Sequence, residues 1–406
     1  MPSDQSQLAA RPVTGRIDSL DSIRGLAARA VLLSHFCGVF VMSNAVNTVL
    51  NLPIVNIGID GKAGVAMFFV LSGFVLARPY LRVSPGGEFA PVNVGAFYLR
   101  RVTRIYIPFL LVLFLSAAVR TWLFRRYTTL PPQSGWFSGF WCCPVTARDL
   151  IKQCGFLLHD GQRQMLNQDW SLGVELKASL LLPIYVFIAR KSFLALAATG
   201  LGLAIFMGTG HYQLSFVMGV LLAYFIPAIL PKLKAAASRV RAAFFVAGVL
   251  AYGTRLMTKL ISEHSRIPVL PEKIIWTITA LGCVAILLAA LSSRRLDMVL
   301  NHPSLTFLGR ISYSVYLLHF MVLLSVVPLF VHGLNLLHIQ NGLLVVPAAL
   351  AFMLVVTITA SALSYKWIEM PAINLGRRLC PSKGAKGPET SKKLSPVPEL
   401  EEAPKK

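Results

Sequence analysis

The chain has 406 residues, of which 55% are hydrophobic and only 14% are charged, and its mean hydropathy is +0.64. A soluble domain carries about 25% charged residues, so this composition excludes an ordinary soluble protein and predicts an all-α, polytopic membrane protein. The net charge of +22 does not indicate nucleic-acid binding, because the basic residues lie mainly in short links between apolar runs, as the positive-inside rule explains.

Ten apolar segments predict about ten transmembrane helices, because each is close to the length of about 17 to 25 residues that a bilayer requires. Residues 1–16 precede them as a polar N-terminal segment. The ten segments are 20–42, 61–79, 104–120, 170–189, 192–209, 212–230, 241–258, 273–291, 311–331 and 342–363. Residues 372–406 follow as a cytoplasmic tail that is predicted to be disordered, and its part from residue 380 onward is rich in Pro, Lys and Glu.

The links between the segments predict the orientation of the chain. Basic residues concentrate in the links 80–103, 190–191, 231–240 and 292–310, whereas the links 210–211 and 332–341 contain no Lys or Arg. The link 121–169 carries five basic residues and breaks this alternation, but long loops are weaker topology signals. Both termini are therefore predicted to be cytoplasmic.

The first apolar segment contains two ionisable residues, Arg24 and His35, that are eleven positions apart. Eleven residues make about three helical turns, so the two side chains project from nearly the same face, roughly 16 Å apart along the axis. Asp21 lies one turn before Arg24. Ionisable groups at membrane depth are costly and mark functional sites. The pair predicts an anionic cofactor at Arg24 and proton transfer at His35.

Two further motifs follow in the middle of the chain. Arg101 and Arg104 are three apart and are neighbours on a helix, which fits either a positive-inside flank or a clamp for phosphate. Glu175 lies one turn into an apolar helix that begins near Trp170. An isolated carboxylate there needs a partner, so Glu175 either pairs with an arginine or acts directly in the site. Trp170 is either an interfacial anchor or a site residue.

The last two motifs lie near the C-terminal end of the apolar region. Tyr316 and His319 share a helix face, and His319 is either a core histidine or a site residue. Glu369 lies within Tyr365-Lys-Trp-Ile-Glu369-Met-Pro371, where an interfacial aromatic belt explains most residues but not the carboxylate. The chain has no Walker loop, no Gly-x-Ser-x-Gly and no His-Glu-x-x-His, so nucleotidase, soluble hydrolase and zinc-protease functions lack support.

Six stretches together resemble the acyltransferase 3 family of integral membrane acyltransferases, in the family's order over residues 17–371. They are Leu20-Asp-Ser-Ile-Arg24-Gly-Leu-Ala with His35, Gly64-Val-Ala-Met-Phe-Phe-Val-Leu-Ser72-Gly-Phe74, Arg100-Arg101-Val-Thr-Arg104-Ile-Tyr-Ile-Pro108, Trp170-Ser-Leu-Gly-Val-Glu175, Gly309-Arg-Ile-Ser-Tyr-Ser-Val-Tyr-Leu-Leu-His319 and Tyr365-Lys-Trp-Ile-Glu369-Met-Pro371. The resemblance implies that residues 17–371 form an acyltransferase domain.

The resemblance also implies a reaction. The family uses an acyl-CoA donor, commonly acetyl-CoA, and modifies hydroxyls of cell-surface or exported glycans, which implies a bacterial inner membrane, contact with the lipid bilayer and no metal. Arg24 and His35 match the family's essential pair, and Arg101 and Arg104 match its donor-linked arginines. In this interpretation His35 is the general base, Arg24 with Arg101 and Arg104 holds coenzyme A, and Ser72 is a candidate oxyanion donor.

Two alternatives stay open from the sequence. The acceptor could be a lipid or a small molecule instead of a glycan, and the buried ionisable residues also suit a proton-coupled transporter. Arg29 departs from the family's pattern, which has a small or apolar residue at that place in the first helix. It lies five residues after Arg24 and points well away from the Arg24/His35 face, so the family gives it no role.

Overall fold

The computed structural model describes residues 17–40, 43–83, 87–123, 134–158, 160–208, 210–265 and 267–380. Within these ranges the secondary structure is helical, apart from one isolated bridge between Val83 and Phe89. A π-helical turn, Tyr365–Glu369, connects the last two helices. The helices are α1 Asp18–Cys37, α2 Asn44–Leu50, α3 Pro53–Ile57, α4 Gly61–Ala77, α5 Val94–Leu123, α6 Gly135–Ser138, α7 Ala147–Cys154, α8 Asp169–Lys191, α9 Phe193–Phe206, α10 Gly210–Ala235, α11 Ser238–Tyr252, α12 Thr254–His264, α13 Glu272–Ser292, α14 Arg294–Leu300, α15 Pro303–Leu336, α16 Gly342–Ser364 and α17 Met370–Leu379.

The helices confirm a membrane protein of the all-α class, but they do not confirm ten independent spans. Among the described residues, six helices are long and apolar enough to cross a membrane: α5, α8, α10, α13, α15 and the continuous helix from α16 through α17. The pair α11 and α12, bent by 64°, makes a seventh if it counts as one span. Helices α4 and α9 are apolar but shorter, and α1 carries several charged residues.

Helix α15 is the central element of the bundle, since 83% of its most apolar 18-residue stretch is buried. Helix α1 packs between α15 and α4. Its contact with α15 is made backbone to backbone, because a Cβ built on Gly25 would lie 2.6 Å from the Gly309 amide nitrogen. Small residues at such a crossing allow two membrane helices to approach closely. The two glycines therefore fix the position of α1, with its arginine and histidine, against α15.

The predicted segments differ from the helices at several boundaries, and three of these differences affect the site. Helix α5 begins ten residues before the predicted segment 104–120. Its first turns are too polar for a hydropathy pattern to detect, but the Asn93 side chain caps them (Ala96 N–H to Oδ1, 3.0 Å). Helix α15 likewise begins before residue 311, with Pro303 in its first turn. The tail predicted from residue 372 is helical as far as Leu379, where α17 packs on α5. Residues 1–16 and 381–406 lie outside the described residues.

Candidate active site

Arg24 lies in the first half of α1, where the carboxylate one turn earlier holds it. Its Nη1 donates to Asp21 Oδ1 at 2.9 Å, a pairing that helical i,i+3 geometry favours. The Arg24 side chain lines two adjoining cavities. Since a guanidinium has five N–H donors and this bond uses one, Arg24 keeps donors for a bound anion.

A basic cavity of about 700 Å³ opens at the end of the bundle where α1 begins. It is bounded by the start of α1, the end of α4, the start of α15 and the residues of α17. We call it the basic vestibule. The arginines that line it are Arg24, Arg78, Arg82, Arg104, Arg310 and Arg377. Asp21 and Glu369 also line it, so guanidinium groups outnumber carboxylates. This excess suits a ligand that carries several phosphates.

A narrower pocket of about 70 Å³, the inner pocket, continues from the vestibule into the bundle. The two cavities share four lining residues, Arg24, Val75, Arg104 and Tyr313. Deeper in, the inner pocket is lined by apolar and polar side chains together: Val65, Phe68, Phe69, Ser72, Leu76, Arg101, Ile105, Ser171, Leu172, Glu175 and Tyr316. By the same measure this volume is about a tenth of that of the vestibule. The inner pocket therefore suits a thin chain better than a bulky head group.

Glu175 is the centre of a polar cluster on the wall of the inner pocket. Arg101 Nη2 donates to Glu175 Oε1, and Ser72 Oγ donates to the same oxygen at 3.0 Å. Arg101 also donates from Nε to Ser179 Oγ at 3.0 Å. Glu175, which is partly buried, thus has the arginine partner that its apolar helix requires. Arg104, by contrast, lines both cavities and has no ion pair with a carboxylate in the described part of the chain.

His35 and His319 lie side by side near the far end of α1. His35 Nδ1 and His319 Nε2 are 2.8 Å apart, and the two rings are nearly parallel, with an interplanar angle of 5°. His319 is completely buried, whereas His35 is partly exposed. His319 thereby supplies a direct partner for His35 from a helix 284 residues away in sequence.

The hydrogen bonds of His319 determine which nitrogen of His35 is free. His319 Nδ1 lies 3.0 Å from the Val315 carbonyl oxygen, and a carbonyl can only accept, so Nδ1 carries the proton. In a neutral imidazole the other nitrogen is then an acceptor, and His319 Nε2 accepts from His35 Nδ1. The Nε2 of neutral His35 is left with a lone pair. This is the protonation state that a general base requires.

Trp136 lies over the histidine pair, on a segment that is tied to the end of α1. The Ser134 N–H donates to the Val39 carbonyl at 2.8 Å, and the Ser134 hydroxyl donates to the Gly38 carbonyl. These bonds place the indole of Trp136, in α6, stacked on His35 with ring centroids 5.8 Å apart. Trp136 is 42% exposed, so the imidazole of His35 lies just beneath the molecular surface.

Tyr316 connects the inner pocket to the histidine pair. Its side chain lines the pocket, and its ring centroid is 5.9 Å from that of His319, one turn later on α15. The hydroxyls of Tyr316 and Ser171 are 2.5 Å apart. His35 is not among the residues that line either cavity. The contact between Tyr316 and His319 therefore links the lining of the inner pocket to the histidine pair.

Comparison with known protein families decides the class of this protein. The model of the acyltransferase 3 family, described as an acyltransferase domain, matches residues 17–363. The chain belongs to the acyltransferase 3 family. It is a membrane acyltransferase, and the resemblance to this family is confirmed, with a match that ends before the sixth motif at residues 365–371. No curated protein and no solved structure matches the chain.

The remaining candidate residues of the acyltransferase differ in whether they line the two cavities. Glu369 is buried in the vestibule wall, where its Oε2 accepts from Ser314 Oγ at 3.1 Å. Trp170 packs against Tyr212, with ring centroids 5.1 Å apart, and lines neither cavity. Trp170 therefore lies outside the group of residues that the structure brings together.

Sequence reasoning missed several residues of this site. The vestibule residues Arg78, Arg82 and Arg310 carry the same signal as any basic loop flank, and Arg377 falls in the predicted tail. Trp136 lies in the long link 121–169, where no periodic pattern marks it. Tyr313, whose hydroxyl donates to the Ile105 carbonyl at 2.6 Å, is part of the family motif that ends at His319, and its spacing from Tyr316 was the available signal.

Proposed function

We propose that this acyltransferase moves an acetyl group from acetyl-CoA to a hydroxyl of a glycan at the outer face of a bacterial inner membrane. One observation carries the proposal: a basic vestibule narrows into an inner pocket whose lining residue Tyr316 lies one helical turn from a histidine pair. A multiply phosphorylated head, a thin arm and a reacting end match these three parts in order. Coenzyme A has that shape.

The phosphates of the donor would bind in the vestibule on the cytoplasmic side. Arg24 and Arg104 line both cavities, which supports assigning them to the phosphates nearest the inner pocket. Planar guanidiniums bind phosphate in a bidentate manner. Arg101 is engaged with Glu175, and we assign it to shaping the pocket around the pantetheine arm as well as to the donor.

His35 would act as the general base, with its free Nε2 facing the acceptor. The acceptor oxygen attacks the thioester carbonyl carbon as His35 Nε2 takes the hydroxyl proton. The new C–O bond forms, the C–S bond breaks, and the thiolate of coenzyme A leaves. The imidazolium then returns its proton to the thiolate, so the enzyme ends each turnover unchanged. Transfer through an acyl-histidine is the longer route.

The acceptor would approach from the side of Trp136. The indole is partly exposed and stacks on His35, so it presents a flat apolar surface beside the base. Such a surface supports a sugar ring while leaving its hydroxyls free to react. In this proposal acetyl-CoA therefore enters at one end of the bundle and the glycan at the other.

The decisive experiment measures acetyl transfer by purified protein in proteoliposomes, with His35→Ala as the test and His264→Ala, an exposed histidine, as the matched control. His35→Ala should insert and fold normally yet lose acetyl transfer, while His264→Ala should keep it. A folded His35→Ala protein with full activity would refute the assignment. Mass spectrometry of surface glycans from cells with and without the gene identifies the acceptor, as a sugar that gains one acetyl mass.

A second variant tests the donor site. Arg24→Lys keeps the charge but loses the planar fork, so the KM for acetyl-CoA should rise, and an unchanged donor affinity would contradict the clamp.

The same proteoliposomes address the transporter alternative. Substrate flux without any acyl donor would favour transport, whereas labelling of an acceptor that depends on acetyl-CoA supports transfer.

A further inference from the structure

Arg29 has no part in the proposed reaction, yet it lies in the middle of α1. It is exposed and lies roughly 16 Å along the axis from the first residue of that helix. Among the described residues, no carboxylate oxygen lies within 4.0 Å of an Arg29 nitrogen, the limit for an ion pair. An unpaired charge at membrane depth is costly and calls for a counter-charge.

Arg29 lines a lateral cavity of about 280 Å³, which we call the Arg29 groove. The groove runs between α1, α11, α13 and α14, and Ile23, Val249, Ile286 and Val299 are among its walls. Apart from Arg29, every residue that lines it is uncharged. The cavity therefore combines one positive charge with a long apolar surface, on a face of α1 that differs from the face of Arg24 and His35.

The surroundings of the groove are those of a lipid-facing surface. Val246 and Leu250 of α11 and Met298 of α14 are each more than half exposed, and apolar side chains of this size are exposed at such density where hydrocarbon covers them. The guanidinium of Arg29 extends toward the segment before α4, since a Cβ built on Gly58 would lie 3.5 Å from Arg29 Nη2. The charged head thus lies beside Gly58, at the wall of the groove that the segment before α4 forms.

We infer that the Arg29 groove binds a bilayer phospholipid, with the lipid phosphate on the Arg29 guanidinium and one acyl chain along the apolar walls. The phosphate supplies the missing counter-charge and matches the planar fork. The acyl chain covers walls that a water-soluble anion would leave exposed. A phospholipid is the amphiphile that a bilayer offers at this depth. The site is independent of acyl transfer, and its test needs no enzymatic activity.

The test is native mass spectrometry of the delipidated full chain in detergent, titrated with phosphatidylglycerol. Wild-type protein should bind one lipid tightly, and Arg29→Gln should bind it about tenfold more weakly, the effect of losing one charge-assisted hydrogen-bonded contact. Arg239→Gln, at an exposed arginine in the first turn of α11, is the matched control and should bind as wild type does. Melting temperatures verify that each variant is folded.

A second variant separates a lipid from a free anion. Val249→Trp fills the groove while keeping Arg29, so it should weaken phosphatidylglycerol binding as well. The proposal is overturned if folded Arg29→Gln binds the lipid as wild type does. It is also overturned if Val249→Trp binds normally and inorganic phosphate displaces the lipid, since the site would then recognise a soluble anion. Should Arg29→Gln fail to fold, unchanged lipid binding by Val249→Trp is enough to overturn the proposal.

Discussion

His35 has two ring nitrogens with different neighbours, and this asymmetry determines what each can do. Nδ1 is engaged with His319 Nε2, and His319 is itself fixed by the Val315 carbonyl. Such a second partner sets the tautomer of a catalytic histidine and orients its ring. We therefore propose that His319 is a positioning residue, which would act on the substrate only through His35.

We predict that His319→Ala lowers kcat about 10²-fold, the usual contribution of a well-placed base, and leaves the KM for acetyl-CoA unchanged because His319 lines neither cavity. His319→Gln offers an amide oxygen that can accept from His35 Nδ1, so it should recover part of the activity. Steady-state kinetics with both variants measure this. Equal losses in the two variants, matched by equal losses in melting temperature, would indicate a purely structural role.

Arg104 should give the opposite kinetic pattern. It lines the vestibule and the inner pocket, so Arg104→Gln removes one charge-assisted contact with a donor phosphate. We expect the KM for acetyl-CoA to rise about tenfold, with kcat largely kept at saturating donor. Kinetics over a range of donor concentrations distinguish the two effects. A fall in kcat with unchanged KM would move Arg104 from the donor site to the reacting end.

The sequence predicted single residues better than their partners. The shared face of Arg24 and His35 follows from helical spacing alone. The need of Glu175 for a counter-charge follows from its position in an apolar helix. The partner His319, by contrast, is brought to His35 by the packing of α15 on α1, and local periodicity contains no information about such packing. The arginines of the vestibule illustrate a different limit, because a topology signal and a phosphate site require the same residue type in the same loops.

At the scale of elements, the crossing of α1 and α15 determines the geometry of the site. A Cβ built on Gly309 would lie 2.3 Å from the Asp21 carbonyl oxygen, so no larger residue fits without moving α1. Gly25 and Gly309 both belong to the sequence motifs that resemble the family, but the sequence alone did not reveal that they meet. Close approach is a property of the pair and requires knowing which helices are neighbours.

We predict that Gly309→Ala lowers stability by about 1–3 kcal/mol, the usual cost of overpacking, and reduces activity by shifting α1. Gly333→Ala is the matched control on the same helix, since a Cβ built on Gly333 meets nothing within 4 Å. Melting temperatures of the two variants in detergent measure the difference. Similar values for both would show that the crossing tolerates a methyl group.

The helix boundaries show what hydropathy can and cannot detect. The predicted segment 170–189 agrees closely with α8, Asp169–Lys191, because both ends of that helix coincide with the edges of the apolar run. Helices α5 and α15 extend further, since hydrogen bonding and caps continue the helix where apolar composition ends. Hydropathy reports only the apolar part of a helix, and the polar extensions carry residues of the site such as Arg101 and Gly309.

At the scale of the whole molecule, the orientation of the bundle decides which compartment supplies the donor. Two native cysteines can report it: Cys142, exposed in the long link before α8, and Cys380, at the end of α17. In single-cysteine variants a membrane-impermeant maleimide should label Cys142 in intact spheroplasts but Cys380 only after permeabilisation, as the basic links predict. The reverse pattern would place the vestibule outside, away from cytoplasmic acetyl-CoA.

The π-helical turn Tyr365–Glu369 absorbs one extra residue between α16 and α17. A π-turn accommodates one residue more than an α-helical turn does, so the helix after it keeps its face toward the vestibule. Without the wide turn, the extra residue would rotate α17 by about 100° and turn Arg377 away from the vestibule. Deleting one residue of the turn should therefore leave donor binding nearly intact, whereas deleting one residue of α17 before Arg377 should impair it, because the vestibule depends on register as much as on composition.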